Sequence, residues 1–350
     1  MAARDRRPVE LGLGHQTLIG TAAPIIPRVN EFELIERFFT RPPRAGSVHL
    51  SVGDDAALLA PSAGCEIAVS VDMLVGGRHF FADTDPEKLG HKALAVNLSD
   101  MAAMGAVPRW ALLAGALPDN DPEWLAAFAR GLYGLADAHG VDLVGGDTTR
   151  GPLNLCITIM GEVPAGHALL RSGARAGNDV YVSGLLGDAA LALAAINGRV
   201  KLDAEALDAA RARLETPTPR IDLGQALRGV ATAALDISDG LVGDLSHILE
   251  RSGVGATVNL AAIPRSPALS LLVGGADRAT ALECLLAGGD DYELCFTAPP
   301  AAAERIAAIA QEVGLTLTRI GKITADSRLV VRDERGVALA ELPRAFDHFA

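Results

Sequence analysis

Six segments of the sequence carry aspartates whose carboxylates could do chemistry, most of them beside glycine or serine. They are Gly53-Asp54-Asp55, Ser70-Val71-Asp72, Asn97-Leu98-Ser99-Asp100, Gly145-Gly146-Asp147, Asp236-Ile237-Ser238-Asp239-Gly240 and Gly288-Gly289-Asp290-Asp291. Most follow a short apolar run, so we expect each carboxylate where a strand ends or a helix begins. Carboxylates gathered in this way suit hard, oxygen-seeking cations such as Mg²⁺. Because Mg²⁺ in such sites commonly shares its shell with phosphate oxygens, the pattern predicts phosphoryl transfer.

Each segment alone has a simpler interpretation, since Gly and Asp are common turn residues and Asp caps helices. The whole set is harder to explain, because unit charges about 4 Å apart repel by roughly 1 kcal/mol in water and about 4 kcal/mol at an effective dielectric of 20. No P-loop, protein-kinase motif, HExxH or GxSxG elbow accompanies the set; Gly321-Lys322 is followed by Ile323. We therefore expect the phosphate chemistry to depend on metal ions and backbone amides.

The composition limits the classes of partner. The 350 residues suffice for two domains, or one large one, with a sizeable apolar core. A net charge of -12 and the lack of a Lys/Arg cluster predict no nucleic-acid-binding surface. Nucleotides are not excluded, because divalent cations can reverse the local sign of a site. The cysteines form no CxxC pair and predict buried free thiols in a reducing cytoplasm.

The hydropathy pattern and the N-terminal residues predict the cellular compartment of the protein. No stretch is long and apolar enough to span a bilayer, so no membrane association is expected. Arg4, Arg6 and Arg7 are not followed by the continuous apolar run of a signal peptide. We therefore expect residues 1–30 to form a poorly ordered extension, and the protein to be cytoplasmic.

Helices and strands that must position these carboxylates alternate along the first half of the chain. The spacing predicts a helix over Glu31–Phe39 and another that begins at Pro86 and runs through Ala95 or beyond. Ser99 or Asp100 is expected to cap a separate segment over Met101–Met104. A long amphipathic helix is predicted from Pro122 to His139, ended by Gly140. The predicted strands are 48–52, 66–72, 110–117, 141–144 and 153–163.

The second half continues the alternation after an expected domain boundary at Pro164-Ala165-Gly166. Its predicted helices are 187–197, 219–227, 240–251 and 301–313, and its predicted strands are 179–183, 233–237, 256–260, 292–297, 315–320 and 328–332. The alternation lacks the regular period of a barrel and predicts two α/β or α+β domains, over 31–164 and 165–350.

Longer blocks around the aspartates resemble the thiamine-monophosphate kinase family. These blocks are 53–57, 92–106, 145–151, 171–174, 236–241 and 289–294. The resemblance runs in order from about Glu31 to the closing Phe346-Asp347-His348-Phe349. It implies the two-domain fold of the aminoimidazole-ribonucleotide-synthetase superfamily, with mixed sheets packed with helices, as a homodimer formed through the N-terminal domain. It also implies the reaction of ATP with thiamine monophosphate to give ADP and thiamine diphosphate.

The resemblance further implies roles for single residues around several Mg²⁺ ions. The implied metal ligands are Asp55, Ser70, Val71 through its carbonyl, Asp72, Asp100, Asp147, Asp236 and Asp239; the ATP contacts are Tyr133, Gly146, Asp147, Arg171 and Ser238; the substrate contacts are His79, Asp290 and Phe346. Three positions depart from the family pattern. Val71 stands where a Thr is frequent, Asp290 replaces a Glu found in some members, and Asn178 stands where a second acidic residue is common.

Several of these residues have plainer interpretations when taken alone. His79 reads as a packed or surface histidine, and Tyr133 and Phe346 read as core aromatics. Arg171 is the strongest non-acidic candidate, because its guanidinium could bind phosphate oxygens bidentately.

The predicted mechanism is direct in-line transfer, with no phosphoenzyme and no protein general base. A phosphate acceptor, whose second pKa is about 6, is already mostly ionised at neutral pH. Three alternatives remain open from the residues: another ATP-dependent enzyme of the same superfamily, a non-catalytic Mg-nucleotide sensor, and a two-metal phosphohydrolase.

Overall fold

A computed structural model describes residues 30–44 and 46–344. The expected extension, except for Asn30, and the predicted substrate contact Phe346 lie outside the described residues. Within them, the chain forms a two-stranded, a four-stranded and a six-stranded sheet packed with helices, which confirms the predicted mixed α/β class. No helix in this part of the chain is long and apolar enough to cross a membrane.

The helices and strands have the following bounds. The helices are α1 Glu31–Leu34, continued by a π-helical turn over Ile35–Phe39, α2 Pro86–Ala103, α3 Pro122–His139, α4 Asp188–Ile196, α5 Ala204–Glu215, α6 Ile221–Ala226, α7 Leu241–Ser252, α8 Pro267–Val273, α9 Arg278–Ala287 and α10 Ala303–Glu312. The strands are β1 Val48–Leu50, β2 Leu58–Leu59, β3 Cys65–Val75, β4 Val107–Leu117, β5 Asp142–Arg150, β6 Asn154–Pro164, β7 Asp179–Ser183, β8 Ala233–Asp236, β9 Gly255–Asn259, β10 Leu294–Ala298, β11 Leu317–Thr324 and β12 Leu329–Arg332.

The four-stranded sheet has the order β3-β6-β4-β5. Strand β6 pairs antiparallel with β3 and β4, and β5 joins β4 in parallel. Because side chains alternate along a strand, one face carries buried Leu155, Ile157 and Ile159 in the same core cluster as α2 and α3. The opposite face presents an exposed apolar stripe on edge strand β3, made of Ile67, Val69, Val71 and Met73.

The six-stranded sheet has the order β12-β9-β11-β7-β10-β8 and is buried on both faces. Strand β7 shows why, since Val180 and Val182 belong to one core cluster whereas Tyr181 belongs to the other. The cluster with Val180 and Val182 also contains residues of α4, α7, α8 and α9. The cluster with Tyr181 continues into the core beneath the four-stranded sheet. The two sheets therefore share one apolar core.

Helix α2 packs unusually close to α3 because both contribute a glycine at the crossing. A Cβ atom added at Gly131 would lie 1.7 Å from the carbonyl oxygen of Glu87, and one added at Gly90 would lie 2.0 Å from that of Phe128. Helix α2 begins at Pro86, with the Asp85 carboxylate accepting hydrogen bonds from the amides of Glu87 and Lys88. Its position relative to α3 is thus fixed by backbone contact.

Helix α2 also joins the two halves of the chain through polar contacts spaced along its length. The contacts are Lys88 Nζ to Glu215 Oε2 at 2.7 Å, His91 Nε2 to the Pro217 carbonyl oxygen at 2.8 Å, Lys92 Nζ to Asp290 Oδ2 at 3.1 Å and Ser99 Oγ to Asp236 Oδ2 at 2.7 Å. The predicted break before Met101 is wrong. Ser99 and Asp100 lie inside one continuous helix, and the Ser99 hydroxyl bonds across the interface instead of capping a new segment.

Two predicted strand ends are also wrong. Asp72 lies within the eleven-residue strand β3, and Asp147 lies within β5, which continues to Arg150. Both strands extend because their neighbours pair with them over this length, which the local apolar pattern does not show. The predicted helix over Pro122–His139 is confirmed, and Gly140 ends it in the left-handed conformation, with φ 66°.

Candidate active site

A cleft of about 700 Å³ lies beside α2, between residues of the four-stranded and six-stranded sheet regions. Predicted site residues on its wall are Asp72, His79, Ser238, Asp239 and Asp290. The remaining wall is largely apolar and is contributed by α4 and α9, with Arg78, Arg199 and Arg344 at its polar parts. The wall of this cleft therefore combines acidic groups with apolar surface that suits an organic ring.

The acidic cluster consists of Asp72, Asp100, Asp236 and Asp239, from four different elements. Asp72 lies on the inner face of β3, Asp100 is in the last turn of α2, Asp236 ends β8 and Asp239 lies in the turn before α7. The long-range pairing of strands and the α2 interface bring these residues together, although they are far apart in sequence. Four of the predicted carboxylate ligands thus meet in one place.

The carboxylates of the acidic cluster perturb one another. Burial, followed by repulsion from Asp100 and Asp239, raises the pKa of Asp72 to about 6. Burial, followed by Asp100, raises the pKa of Asp236 to about 7. The pKa of Asp100 is also raised by burial, while its hydrogen bond from Ser70 and the nearby Arg171 act in the opposite direction. Such mutual repulsion favours bound cations.

Hydroxyl and amide groups orient the acidic cluster. Ser70 Oγ donates to Asp100, and Ser99 Oγ donates to Asp236 Oδ2 at 2.7 Å. The Asn97 side-chain oxygen accepts from the Asp72 amide at 3.2 Å. Sequence reasoning assigns no site role to Asn97, and it assigns Ser99 only a helix cap. The signal that could have identified them was a polar residue in an apolar stretch of the predicted helix, close to the predicted ligand Asp100.

Asp244 is a further acidic residue that sequence reasoning did not single out. Its carboxylate accepts hydrogen bonds from the amides of Ser238 and Asp239, both at 3.0 Å, and so holds the turn that carries these two residues. Burial raises its pKa to about 6. A carboxylate in the first turn of α7 was the signal that could have found it.

The predicted substrate residues on the cleft wall, His79 and Asp290, are held by specific hydrogen bonds. The Asp290 carboxylate accepts from Lys92 Nζ at 3.1 Å and from the Tyr292 hydroxyl at 3.0 Å. The His79 ring accepts the Val75 amide at Nδ1, at 3.0 Å, so a neutral ring carries its proton on Nε2.

Gly146 and Asp147 are not brought to the acidic cluster within this chain. Strand β5 is separated from β3 by β4 and β6, a distance of about 14 Å at the usual strand spacing. Asp147 pairs with Ala114, which shares a face with Met73 and not with Asp72. A Cβ added at Gly146 would lie 1.9 Å from the Leu113 carbonyl oxygen, so a close backbone contact requires glycine here.

The other predicted site residues lie apart from the cleft wall. Asp55 is exposed in a turn, and the Val71 side chain points to the face of β3 opposite Ser70 and Asp72. Tyr133 is buried on α3 beneath Arg41, whose guanidinium lies 3.5 Å from the ring centroid. Its hydroxyl has no hydrogen-bond partner among the described residues, and burial raises its pKa to about 12.

The donor chemistry of the acidic cluster suits Mg²⁺, although its geometry does not form a closed metal site. Within residues 30–44 and 46–344, no three His, Cys, Asp or Glu side chains are arranged to hold a metal ion. The cluster nevertheless offers oxygen donors alone, and the pKa values of Asp72 and Asp236 are raised first by burial and then by neighbouring carboxylates.

Family models match both halves of the chain. The model for the N-terminal domain of AIR synthase related proteins matches residues 53–163, and the model for the C-terminal domain matches residues 175–334. Together these matches cover both large sheets.

Similarity to individual proteins identifies the family more closely than the two domain models do. A thiamine-monophosphate kinase from Escherichia coli strain K12 is 46% identical over 324 residues, covering 91% of this chain and 98% of the relative. The crystal structure of a thiamine-monophosphate kinase from Stenotrophomonas maltophilia K279a is 46% identical, with a TM-score of 0.80 over 88% of this chain and 98% of that one. A structure of AaThiL complexed with AMPPCP and TMP is 29% identical, with a TM-score of 0.71 over 83% and 89% of the two chains. The chain belongs to the thiamine-monophosphate kinase family.

Proposed function

We propose that this chain transfers the γ-phosphoryl group of ATP to thiamine monophosphate, giving ADP and thiamine diphosphate. The observation that carries the proposal is a single cleft whose wall includes Asp72 and Asp239 of the acidic cluster together with His79 and Asp290. This arrangement can hold two phosphate-bearing substrates close together. The 29% identical AaThiL was solved with AMPPCP and TMP together, which supports the same pair of ligands for this cleft.

Mg²⁺ is the proposed metal, and Asp72, Asp100, Asp236 and Asp239 would hold it together with the Ser70 hydroxyl. Bound there, Mg²⁺ would neutralise phosphate charge and help to align the reacting oxygens. Asp55, Asp147 and the Val71 carbonyl complete the ligand set proposed from the family resemblance. The part of this donor set that lies in the acidic cluster is supported by its oxygen-only chemistry and by the raised pKa values of its carboxylates.

The chain's own residues would bind and orient the substrates for in-line transfer. Arg171, whose charge opposes the rise in the pKa of Asp100, would meet the triphosphate beside the acidic cluster. An oxygen of the acceptor phosphate forms the new bond to the γ-phosphorus, while the bond from that phosphorus to the bridging oxygen breaks and ADP leaves. Ser238 contacts the nucleotide at the turn that Asp244 holds. No protein base is required, because the acceptor oxygen is already ionised.

The part of the cleft around His79 and Asp290 would recognise the cationic thiazolium ring and the pyrimidine. The Asp290 carboxylate supplies negative charge, His79 supplies a ring nitrogen, and α4 supplies apolar surface. Tyr133 and Gly146 remain proposed ATP contacts, and Phe346 remains a proposed substrate contact beyond the described residues.

The test is ³¹P NMR of the purified protein with Mg-ATP and thiamine monophosphate, beside a control without the acceptor. Stoichiometric ADP and a new diphosphate, formed only with the acceptor and lost on chelation, are expected. Binding of Mg-ATP without turnover would instead identify a nucleotide sensor. Phosphate release without the acceptor would identify a phosphohydrolase, and turnover only with another acceptor would identify a different enzyme of the superfamily.

We also propose that the protein acts as a homodimer through the open face of the four-stranded sheet. The exposed apolar stripe on β3, with Ile67, Val69, Val71 and Met73 each 46% to 62% exposed, supports this face as the contact. Asp147 lies on the same face at the far edge of the sheet, so a second copy could bring it near the partner's cleft. Val69→Glu should shift the mass measured by light scattering from dimer to monomer; an unchanged dimer would place the contact elsewhere.

The proposed compartment is the cytoplasm, where ATP is available. The four cysteines support a reducing environment, since all are free, Cys284 and Cys295 are buried, and Cys65 and Cys156 are half-buried.

A further inference from the structure

Lys92 places a buried positive charge just behind the wall of the cleft. The residue is 3% exposed, and its ammonium lies 3.1 Å from Asp290 Oδ2 and 3.5 Å from the His79 carbonyl oxygen. Lysine is seldom buried unless it is paired, so its place in the apolar run of α2 calls for an explanation. Lys92 is not among the residues that line the cleft, whereas His79 and Asp290 both are.

The two groups that Lys92 contacts come from different halves of the chain. His79 follows β3 of the four-stranded sheet, and Asp290 precedes β10 of the six-stranded sheet. Lys92 stands between them on α2, the helix that joins the halves. Its ammonium therefore fixes the spacing between two residues on the same wall of the cleft.

The backbone at Asp290 indicates that its orientation is constrained. Asp290 and Tyr292 have φ of 66° and 49°, a left-handed conformation that residues other than glycine rarely adopt. Such backbone persists only where the surroundings determine it, and here the Asp290 and Tyr292 amides donate to the carbonyl oxygens of Ser238 and Ile237 at 2.9 and 2.8 Å. The two carboxylate oxygens of Asp290 then accept separately from Lys92 and Tyr292.

We propose that Lys92 is a positioning residue for the thiamine-bearing substrate: it holds the Asp290 carboxylate and the His79 segment in the arrangement that binds the organic part of thiamine monophosphate. The inference rests on the proposed function. Lys92 acts through Asp290 and His79 and not on the reacting phosphates. Its loss should therefore weaken the acceptor without weakening ATP, which binds at the acidic cluster.

The experiment compares Lys92→Met, which keeps much of the side-chain volume, with Lys92→Arg, which keeps the charge. For Lys92→Met we expect the KM for thiamine monophosphate to rise at least about tenfold, the effect of losing one charge-assisted hydrogen bond. The kcat and the KM for ATP should change little, and Lys92→Arg should recover most of the loss. Asp290→Asn should lose at least as much as Lys92→Met, because it also removes the charge proposed to meet the thiazolium ring. The double variant should be no worse than Asp290→Asn, because Lys92 acts through that carboxylate.

Thermal unfolding of each variant distinguishes a protein that does not fold from a folded protein in which Asp290 and His79 are displaced. If Lys92→Met does not fold, the double variant, which leaves no unpaired buried charge, must bind thiamine monophosphate as weakly as Asp290→Asn. Calorimetric titration of thiamine monophosphate in the presence of Mg-AMPPCP gives this readout without turnover. An unchanged KM for the acceptor in folded Lys92→Met, equal rises for both substrates, or additive losses in the double variant would each overturn the role of Lys92. Failure of the wild-type protein to form the diphosphate would instead refute the proposed function.

Discussion

The buried carboxylate of Glu293 and the partly buried acidic cluster differ in the cations that accompany them. Glu293, at 0% exposure, accepts hydrogen bonds from Arg213, Arg220 and the Ser183 hydroxyl. The acidic cluster of Asp72, Asp100, Asp236 and Asp239 instead faces its own members and two hydroxyl groups, with Arg171 near Asp100. The compensated carboxylate stabilises the fold, whereas the uncompensated ones retain a repulsion that ligand cations can relieve.

The largest effect should come from removing one charge of the acidic cluster. Asp100→Asn keeps the size of the side chain but removes its charge at the centre of the cluster. We expect kcat/KM for diphosphate formation to fall about 10³-fold, the scale of losing a preorganised electrostatic group. The thermal midpoint without Mg²⁺ should stay equal or rise, because repulsion is lost. A variant that kept activity within a few-fold would remove Asp100 from the proposed metal site.

Breaking the compensated site should affect stability. Glu293→Gln leaves Arg213 and Arg220 without their buried counter-charge, so we expect a loss of about 3–5 kcal/mol in the free energy of unfolding, measured by urea titration. Glu312→Gln is the matched control, since its ion pair with Arg305 is exposed and should contribute at most about 1 kcal/mol. Equal small losses in both variants would contradict the distinction between the two carboxylate groups.

Added metal should stabilise the protein through the acidic cluster. At pH 8, Mg²⁺ at about 100 times its dissociation constant should add about 2.7 kcal/mol to the free energy of unfolding. Asp236→Asn should lose most of this gain, whereas Glu312→Gln should retain it. Calorimetric thermal scans with and without Mg²⁺ provide the measurement, and a full gain in Asp236→Asn would place the metal elsewhere.

The smallest effect concerns pH in the absence of metal. The pKa values of Asp72, Asp236 and Asp244 are raised from 3.8 to about 6, 7 and 6, so between pH 4 and 7 the folded state binds more protons than the unfolded state. The free energy of unfolding should therefore fall as pH rises through this window, with about 1–3 kcal/mol attributable to Asp236. Urea titrations in chelator at pH 5 and pH 8 test this, and Asp236→Asn should show a flatter dependence. Constant or rising wild-type stability would disagree with these shifts.

Local signals in the sequence identified elements whose ends are set locally. Helix α3 has Pro122 at its first turn and Gly140 at its end, and the structure places both ends there. Helix α5 was not predicted, although alanine, glutamate and arginine favour helices, because its few large apolar residues leave the helical period weak. Its stabilising partners are distant: Glu215 bonds Lys88, and Arg213 bonds Glu293. Such pairs appear only when the two halves of the chain meet.

At the candidate site, too, local sequence signals do not show which distant residues meet. The aspartates could be selected from residue type and neighbours, but which of them meet depends on strand order and face. Asp72 and Asp147 have similar local settings, yet they lie on opposite faces at opposite edges of one sheet. Lys92 and Asp244 were not identified because their roles come from Asp290 and from the turn at Ser238.

The glycine contact between α2 and α3 shows that residues outside the cleft also help to position the candidate active site. Gly131 contacts neither the acidic cluster nor Asp290, but a single added methyl group there would collide with the backbone of α2 at Glu87. Because Lys92, Ser99 and Asp100 are carried on that same helix, such a collision would displace all three at once. Gly131, on the neighbouring helix α3, thus helps to set the position of Lys92, Ser99 and Asp100 between the two halves of the chain.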